Sequence, residues 1–334
     1  MRKSGALFIG FIHLLISGIL LSSPAQATDG LQWKNPPEGQ HRWFIDNEVH
    51  LPQFMWFVSD QNKEVRVLAY QTTMVTTCGS GIMQSKRAFG MECVIDKIAI
   101  RASSLQADRN RLAPILEEMT SKLTGATVML RLKSNGKLST FSFKEADSNK
   151  AQNRRINQMH ENLRLILLRS FSGMDLELPK KGTTQEEYWF QFDNALFMAP
   201  STVGTRGTAE IIHRVASTNG QQVVIHSSGE GTLTPGDDGL NYYTTRLESS
   251  AIFDRESGVL IERGWTCAGH PTASSAFAQA GLGLPYIQRG ALKRIGLKQT
   301  VDVGVSVEVL PNMEQPGLIG TWGSIGSPIG EPGN

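Results

Sequence analysis

The sequence predicts an α+β fold: a strongly twisted antiparallel sheet, a half-barrel, wrapped around one long and one short helix. Three observations predict it. Residues 154–171 carry a strong helical period, with Ile156, Met159, Leu163, Ile166, Leu167 and Phe171 on one side and Arg154, Arg155, His160, Glu161 and Arg164 largely on the other. Runs rich in Val, Ile, Thr and aromatic residues fill the chain before and after that helix. Asn-Gly pairs at 135–136 and 219–220 lie between alternating runs, as tight hairpin turns do. One amphipathic helix among so many strands needs a sheet that curls around its apolar stripe.

The chain opens on Arg2 and Lys3, then an apolar stretch from Ala6 to Leu21, then Ser-Pro-Ala-Gln-Ala at 23–27. This is the pattern of a secretory signal cleaved before Thr28, and it places the protein in the periplasm or outside the cell. The expected organisation is a signal peptide at 1–27 and an extended lead-in at 28–41. A single large half-barrel domain follows at 42–310, its two strand-rich halves flanking the helix, and a Gly/Pro-rich tail ends the chain at 311–334. No later segment is apolar for long enough to span a membrane. The 334 residues contain 33 Lys+Arg and 31 Asp+Glu. Loss of the first 27 removes two basic side chains and no acidic one, so the mature chain is close to neutral. That balance argues against nucleic acid as the main partner.

Strand material begins near Arg42, continues through Phe54-Met55-Trp56-Phe57 and Val65–Leu68, crosses Thr72–Thr77 and returns through Cys93–Ile100. A short helix follows from about Pro114 to just before Gly125, with Ile115, Leu116, Met119 and Leu123 on one side. At 127–143 a type I′ turn on Asn135-Gly136 pairs Ser134 with Lys137, and so Leu132 with Ser139, Leu130 with Phe141 and Val128 with Phe143. After the long helix, strands are expected at 188–192, 207–218, 221–230, 240–253, 259–266, 286–295 and 297–310. Residues 254–258 form a longer hairpin loop that ends on Gly258.

The three cysteines are Cys78, Cys93 and Cys267. Cys78 and Cys93 flank a stretch centred on Ser85-Lys86-Arg87; if that is a symmetrical hairpin tip, they face each other across neighbouring strands and form a disulfide, leaving Cys267 free. Pairing of Cys93 with Cys267 is the alternative.

Candidate sites are few. A type I′ turn at Asn219-Gly220 sets His213 opposite His226, close enough to share a transition metal or to act as a pH-sensitive pair. Ile211, Val215, Val224 and Ser228 supply no third ligand, which favours a structural stack. His270, Ser274 and Ser275 have the residue types of a hydrolase, with Asp254 available to orient the imidazole, but no nucleophile elbow accompanies them. Gly236-Asp237-Asp238-Gly239 lacks the spaced oxygen ligands of a calcium loop. No cofactor motif is found, and the chain is not expected to be an enzyme. A concave apolar sheet would turn Phe54, Trp56, Ile156, Met159, Leu163, Ile166 and Leu167 toward a ligand, or toward a filled core.

Several stretches resemble an uncharacterised family of secreted bacterial proteins: Glu48-Val-His-Leu-Pro with Met55-Trp-Phe, the Cys78/Cys93 pair, Leu123–Val128 before the Asn-Gly hairpin, and Trp265–Ser275. The likeness covers residues 42–296. More loosely, the layout is similar to the half-open barrels of periplasmic lipoprotein carriers. That similarity implies a partner such as a lipid or other apolar ligand, or another envelope protein. The expected role is thus an exported, non-catalytic envelope protein that holds an apolar ligand. The alternatives are a structural or interaction protein with a filled core, and a metal-dependent or serine hydrolase.

Overall fold

The computed structural model describes residues 31–34, 40–58, 64–80, 88–104, 109–145, 154–179, 188–193, 205–235, 243–271 and 286–310. Three long strands come first: β1 (His41–Val58), β2 (Glu64–Ser80) and β3 (Ala88–Ser104). Helix α1 (Arg109–Leu123) leads into the hairpin β4 (Thr127–Lys133) and β5 (Leu138–Lys144), and α2 (Arg154–Phe171) follows. The second half comprises β6 (Tyr188–Asp193), β7 (Thr205–Asn219), β8 (Gln222–Pro235), β9 (Tyr243–Asp254), β10 (Val259–Pro271), β11 (Tyr286–Ile295) and β12 (Val307–Leu310).

All twelve strands form one sheet in the order β5-β4-β3-β2-β1-β11-β10-β9-β8-β7-β6, with β12 added beside β3. The path is open, with β5 at one end and β6 at the other. The two halves are stitched at its centre, where Arg42 to His50 run antiparallel to Ile295 to Ile287. The fold is the α+β architecture that the sequence predicts. Its one departure from antiparallel pairing is β12, which runs parallel to Ile100–Ser103 of β3. The long strand expected at 297–310 is confined to those last four residues.

Burial explains the local structure. Along β1, Trp43, Ile45, Asn47 and Val49 are buried while Phe44, Asp46, Glu48 and His50 between them are half-exposed, the period-2 alternation of a sheet with one wet face. Helix α1 begins five residues before Pro114 and not at it. Leu112 extends the buried stripe of Ile115, Leu116, Met119 and Leu123 by one turn, and that burial offsets the backbone hydrogen bond the proline removes. Gly125, at φ 79°, ends the helix, and its N–H returns to the carbonyl of Ile95 on β3.

Both Asn-Gly hairpins differ in register from their expected form. At the first, Leu130 faces Phe141 and Val128 faces Phe143 as expected, but Leu132 faces Leu138 and not Ser139. Lys133 and Lys137 close a three-residue loop, with Gly136 at φ 89°, so Ser139 is an extra residue in β5. The cause is tertiary. A Cβ on Gly136 would collide with the Trp33 indole and the carbonyl of Leu176, and the carbonyl of Asn135 accepts the N–H of Leu178 at 2.7 Å. Gly136→Ala is therefore expected to cost more than about 1 kcal/mol, read as a lowered midpoint in urea, because strain at positive φ and the clash act together.

Candidate functional site

Helix α2 occupies the concave face of the sheet. Leu163, Ile166, Leu167 and Phe171 have no accessible surface, and Met159 is 4% exposed. A side chain without accessible surface borders no space that a water molecule could enter. Met159, Leu163, Ile166 and Leu167, expected to face either a ligand or a filled core, are buried in the core cluster. The side chains of Phe54, Trp56 and Ile156 lie outside the described residues. The polar stripe is present at His160, which pairs with Glu145 at 2.9 Å and stacks on Phe143, and at Arg164, held by two 2.8 Å bonds to Glu161.

Polar anchors fix the C-terminal end of α2. The Arg169 guanidinium, 1% exposed, donates to the Tyr70 hydroxyl at 3.0 Å. The Arg169 carbonyl accepts from Ser172 Oγ at 2.6 Å and from Gln288 Nε2 at 3.4 Å. Gln288 also donates to Asn47 Oδ1 at 3.0 Å. Arg263 of β10 donates to the carbonyls of Gly173 (3.3 Å) and Asp175 (2.6 Å), and the Asp175 carboxylate accepts the N–H of Leu138. These bonds satisfy carbonyls that a helix end leaves open and place positive charge where the helix dipole favours it. The Trp265 ring lies against Gly173 and Gly290, where any Cβ would strike it.

His213 and His226 are not opposite each other. The loop is Gly220-Gln221, closed by Asn219 and Gln222, and a bulge between Val215 and Ser217 shifts the ladder so that His213 faces Ser227 and His226 faces Arg214. A one-residue slip reverses the face, so His213 is buried on the concave side while His226 is exposed on the other. His213 Nδ1 lies 2.7 Å from Ser227 Oγ, and its ring stacks on Trp189 at 5.3 Å. Burial, with a smaller effect from Arg263, pushes its pKa down to about 3. It therefore stays neutral at physiological pH and does not titrate as a surface histidine would.

His270 faces Thr244, ten residues along β9 from Asp254. At about 3.3 Å per residue Asp254 is roughly 33 Å away and cannot orient the ring. Its Oδ1 instead accepts the N–H groups of Glu256 (2.8 Å) and Ser257 (3.2 Å) and holds the 254–258 loop. Ser274, Ser275 and the Asp237-Asp238 pair lie outside the described residues. Among the described residues no group of three or more His, Cys, Asp or Glu side chains is placed to hold a metal ion.

Cys78 and Cys93 face each other on β2 and β3 and form a disulfide. Cys267 shares a cross-strand row with Gln288 and Val49, eight residues along β1 from the His41 that faces Cys78. The alternative pairing with Cys93 is therefore out of reach. Burial raises the Cys267 thiol well above its usual pKa, against a smaller opposing effect of Arg169, so it is a packed and unreactive group. With the bonded cysteines 15 positions apart in sequence, the Cys78→Ala, Cys93→Ala double variant is expected to lose about 3 kcal/mol in chemical denaturation.

The opposite face of the sheet carries a trough of about 620 Å3. One cross-strand row crosses it: Arg214, His226, Ser250, Gly264, Ala291 and Asp46, from β7 to β1. A second row beside it contains Ser228, Glu248, Thr266, Arg289 and Glu48. Small side chains make the floor and charged ones the rim. The acidic groups are engaged locally. Asp46 accepts from Thr73 (2.8 Å) and Gln71 (3.0 Å), Glu248 pairs with Arg246 at 2.8 Å, and Glu48 pairs with His50 at 2.5 Å. The His50 hydrogen bond is the main cause of a lowered Glu48 pKa, with Arg289 a minor contributor. Sequence reading missed this trough because its residues come from six strands between positions 46 and 291.

No protein-family model and no curated protein matches the chain. Among solved structures, one titled for lipid–protein interactions in lipovitellin is similar over 79% of this chain, at 9% identity and a TM-score of 0.47. The chain spans about a quarter of that structure's length, 26%. A structure of P47 from Clostridium botulinum A2 aligns with 77% of this chain and 82% of its own, at 9% identity and a TM-score of 0.19. No described helix is long and apolar enough to cross a membrane.

Proposed function

We propose that the chain is an exported, non-catalytic protein that acts by binding a partner on a rigid half-barrel whose concave face is closed by its own helix. One observation carries this reading: Leu163, Ile166, Leu167 and Phe171 have no accessible surface. The Cys78–Cys93 disulfide supports an oxidising compartment, in keeping with the signal-like start of the chain.

An apolar ligand in that face would have to displace α2. The helix buries Met159, Leu163, Leu165, Ile166, Leu167, Leu168 and Phe171. Together they are worth roughly 10–20 kcal/mol before entropy, against about 13 kcal/mol for a sixteen-carbon acyl chain at 0.8 per CH₂. The two are comparable, but the helix is tethered and present at high effective concentration, so it holds the face unless lipid is abundant. Native mass spectrometry of protein extracted under mild conditions tests the reading. The expected spectrum shows the protein free of lipid, and a fluorescent fatty acid fails to bind. Stoichiometric co-purified lipid would overturn the filled-face reading in favour of a carrier from which α2 moves aside.

A further inference from the structure

We propose that the trough on the convex face is a binding site for an anionic, hydroxylated small ligand, such as a phosphorylated or carboxylated saccharide. Its carboxylates already have partners, as described above. Its basic side chains are freer: among the described residues no hydrogen bond or ion pair engages the guanidinium of Arg214 or the ring of His226, and Arg289 has only its electrostatic influence on Glu48. The guanidinium donors of Arg214 and Arg289 are therefore open to a ligand.

The geometry sets the size of the occupant. Arg214 lies on β7 and Arg289 on β11, four strand spacings apart, about 19 Å at the backbone. Both side chains line the 620 Å3 space together with Ser250, Gly264 and Ala291, and Glu248 of β9 lies on a strand between them. That volume suits a ligand of one or two sugar rings. Ser228, Ser250 and Thr266 bring hydroxyls to the same space, able to donate to and accept from sugar hydroxyls. Guanidinium groups at the rim match the oxygens of phosphate or carboxylate.

Calorimetric titration of the intact protein at low salt, with glucose 6-phosphate, glucuronate, inorganic phosphate and glucose in turn, tests the assignment. Saturable binding of glucose 6-phosphate or glucuronate is expected, tighter than that of inorganic phosphate, with no binding of glucose. The stronger of the two acids identifies the anion. Arg214→Ala and Arg289→Ala should each weaken binding about tenfold, and Arg214→Lys should restore part of it. Both arginines are exposed, so circular dichroism and the melting midpoint should match the parent protein and separate lost binding from lost fold. Absence of saturable binding to either anionic sugar would overturn the proposal. So would equal affinity in the alanine variants, or phosphate alone binding as tightly as its sugar ester.

Discussion

Leu163→Ala is expected to lower the free energy of unfolding by about 2–5 kcal/mol, and Phe171→Ala by about 3–5 kcal/mol. Both side chains have no accessible surface, and Phe171 packs beside Phe141 with ring centroids 6.5 Å apart. Truncation removes apolar area and leaves a cavity that the surrounding strands cannot close, because β1 and β11 are held in register by the ladder at the sheet centre. A domain of ordinary stability has only about 5–15 kcal/mol in total, so either change should be visible as a large shift in a urea titration. Arg164→Ala, on the polar side of the same helix, provides the contrast. It removes an ion pair with Glu161 that is open to solvent and should cost under about 1 kcal/mol. If Leu163→Ala cost no more than Arg164→Ala, the concave face would be loosely filled and the case for a helix-closed half-barrel would fail.

Sequence periodicity made the scaffold legible where a single physical rule governs. The helical stripe of α2, the Val128/Phe143 and Leu130/Phe141 pairs and the Cys78–Cys93 disulfide all follow from it. The rule gave way beside the turns. At Gly136 the loop is shaped by Trp33 and by the 175–178 segment, contacts that link positions more than 100 residues apart in one case. In the second hairpin the loop lies at Gly220-Gln221 and a bulge follows between Val215 and Ser217; their net effect is a one-residue slip that puts His213 and His226 on opposite faces. Local turn preferences contain neither effect.

The interior polar groups were also hidden, for a different reason. Nothing local in the sequence marks Arg169 or Arg263, yet both are buried and bind backbone carbonyls or the Tyr70 hydroxyl. Their partners lie about 90 to 100 residues away in sequence. The second half of α2 is consequently enclosed on nearly all sides, with Leu165, Leu168 and Ser170 buried as well as the apolar stripe. The convex trough was invisible on the same grounds, since Arg214 and Asp46 share a row only through four intervening strands.

The stability of the protein should fall on acidification with a component that belongs to His213. In the unfolded chain this imidazole has its ordinary pKa of about 6.5 and gains a proton as the pH drops below it. In the fold it is held down to about 3 by burial and by Arg263. Between those two values the unfolded state binds more protons than the native state, so stability rises with pH and declines as pH falls. The stabilisation is complete above pH 6.5 and is lost progressively toward pH 3, at a slope of up to about 1.4 kcal/mol per pH unit from this one group. Carboxylates such as Glu48, whose pKa is also lowered, add acid sensitivity at lower pH, so the decisive quantity is a difference between variants. His213→Phe retains an aromatic ring against Trp189 and cannot titrate, although Ser227 loses its partner. The variant should be less stable than the parent at pH 7.5 by roughly 1–3 kcal/mol, and this deficit should shrink or reverse by pH 5 as the parent loses the histidine contribution. Parallel urea titrations at pH 7.5, 6.0 and 5.0 read it directly. Curves that stay parallel across that range would mean that His213 takes up its proton in the folded protein, and hence that the pocket formed with Trp189 and Ser227 admits water.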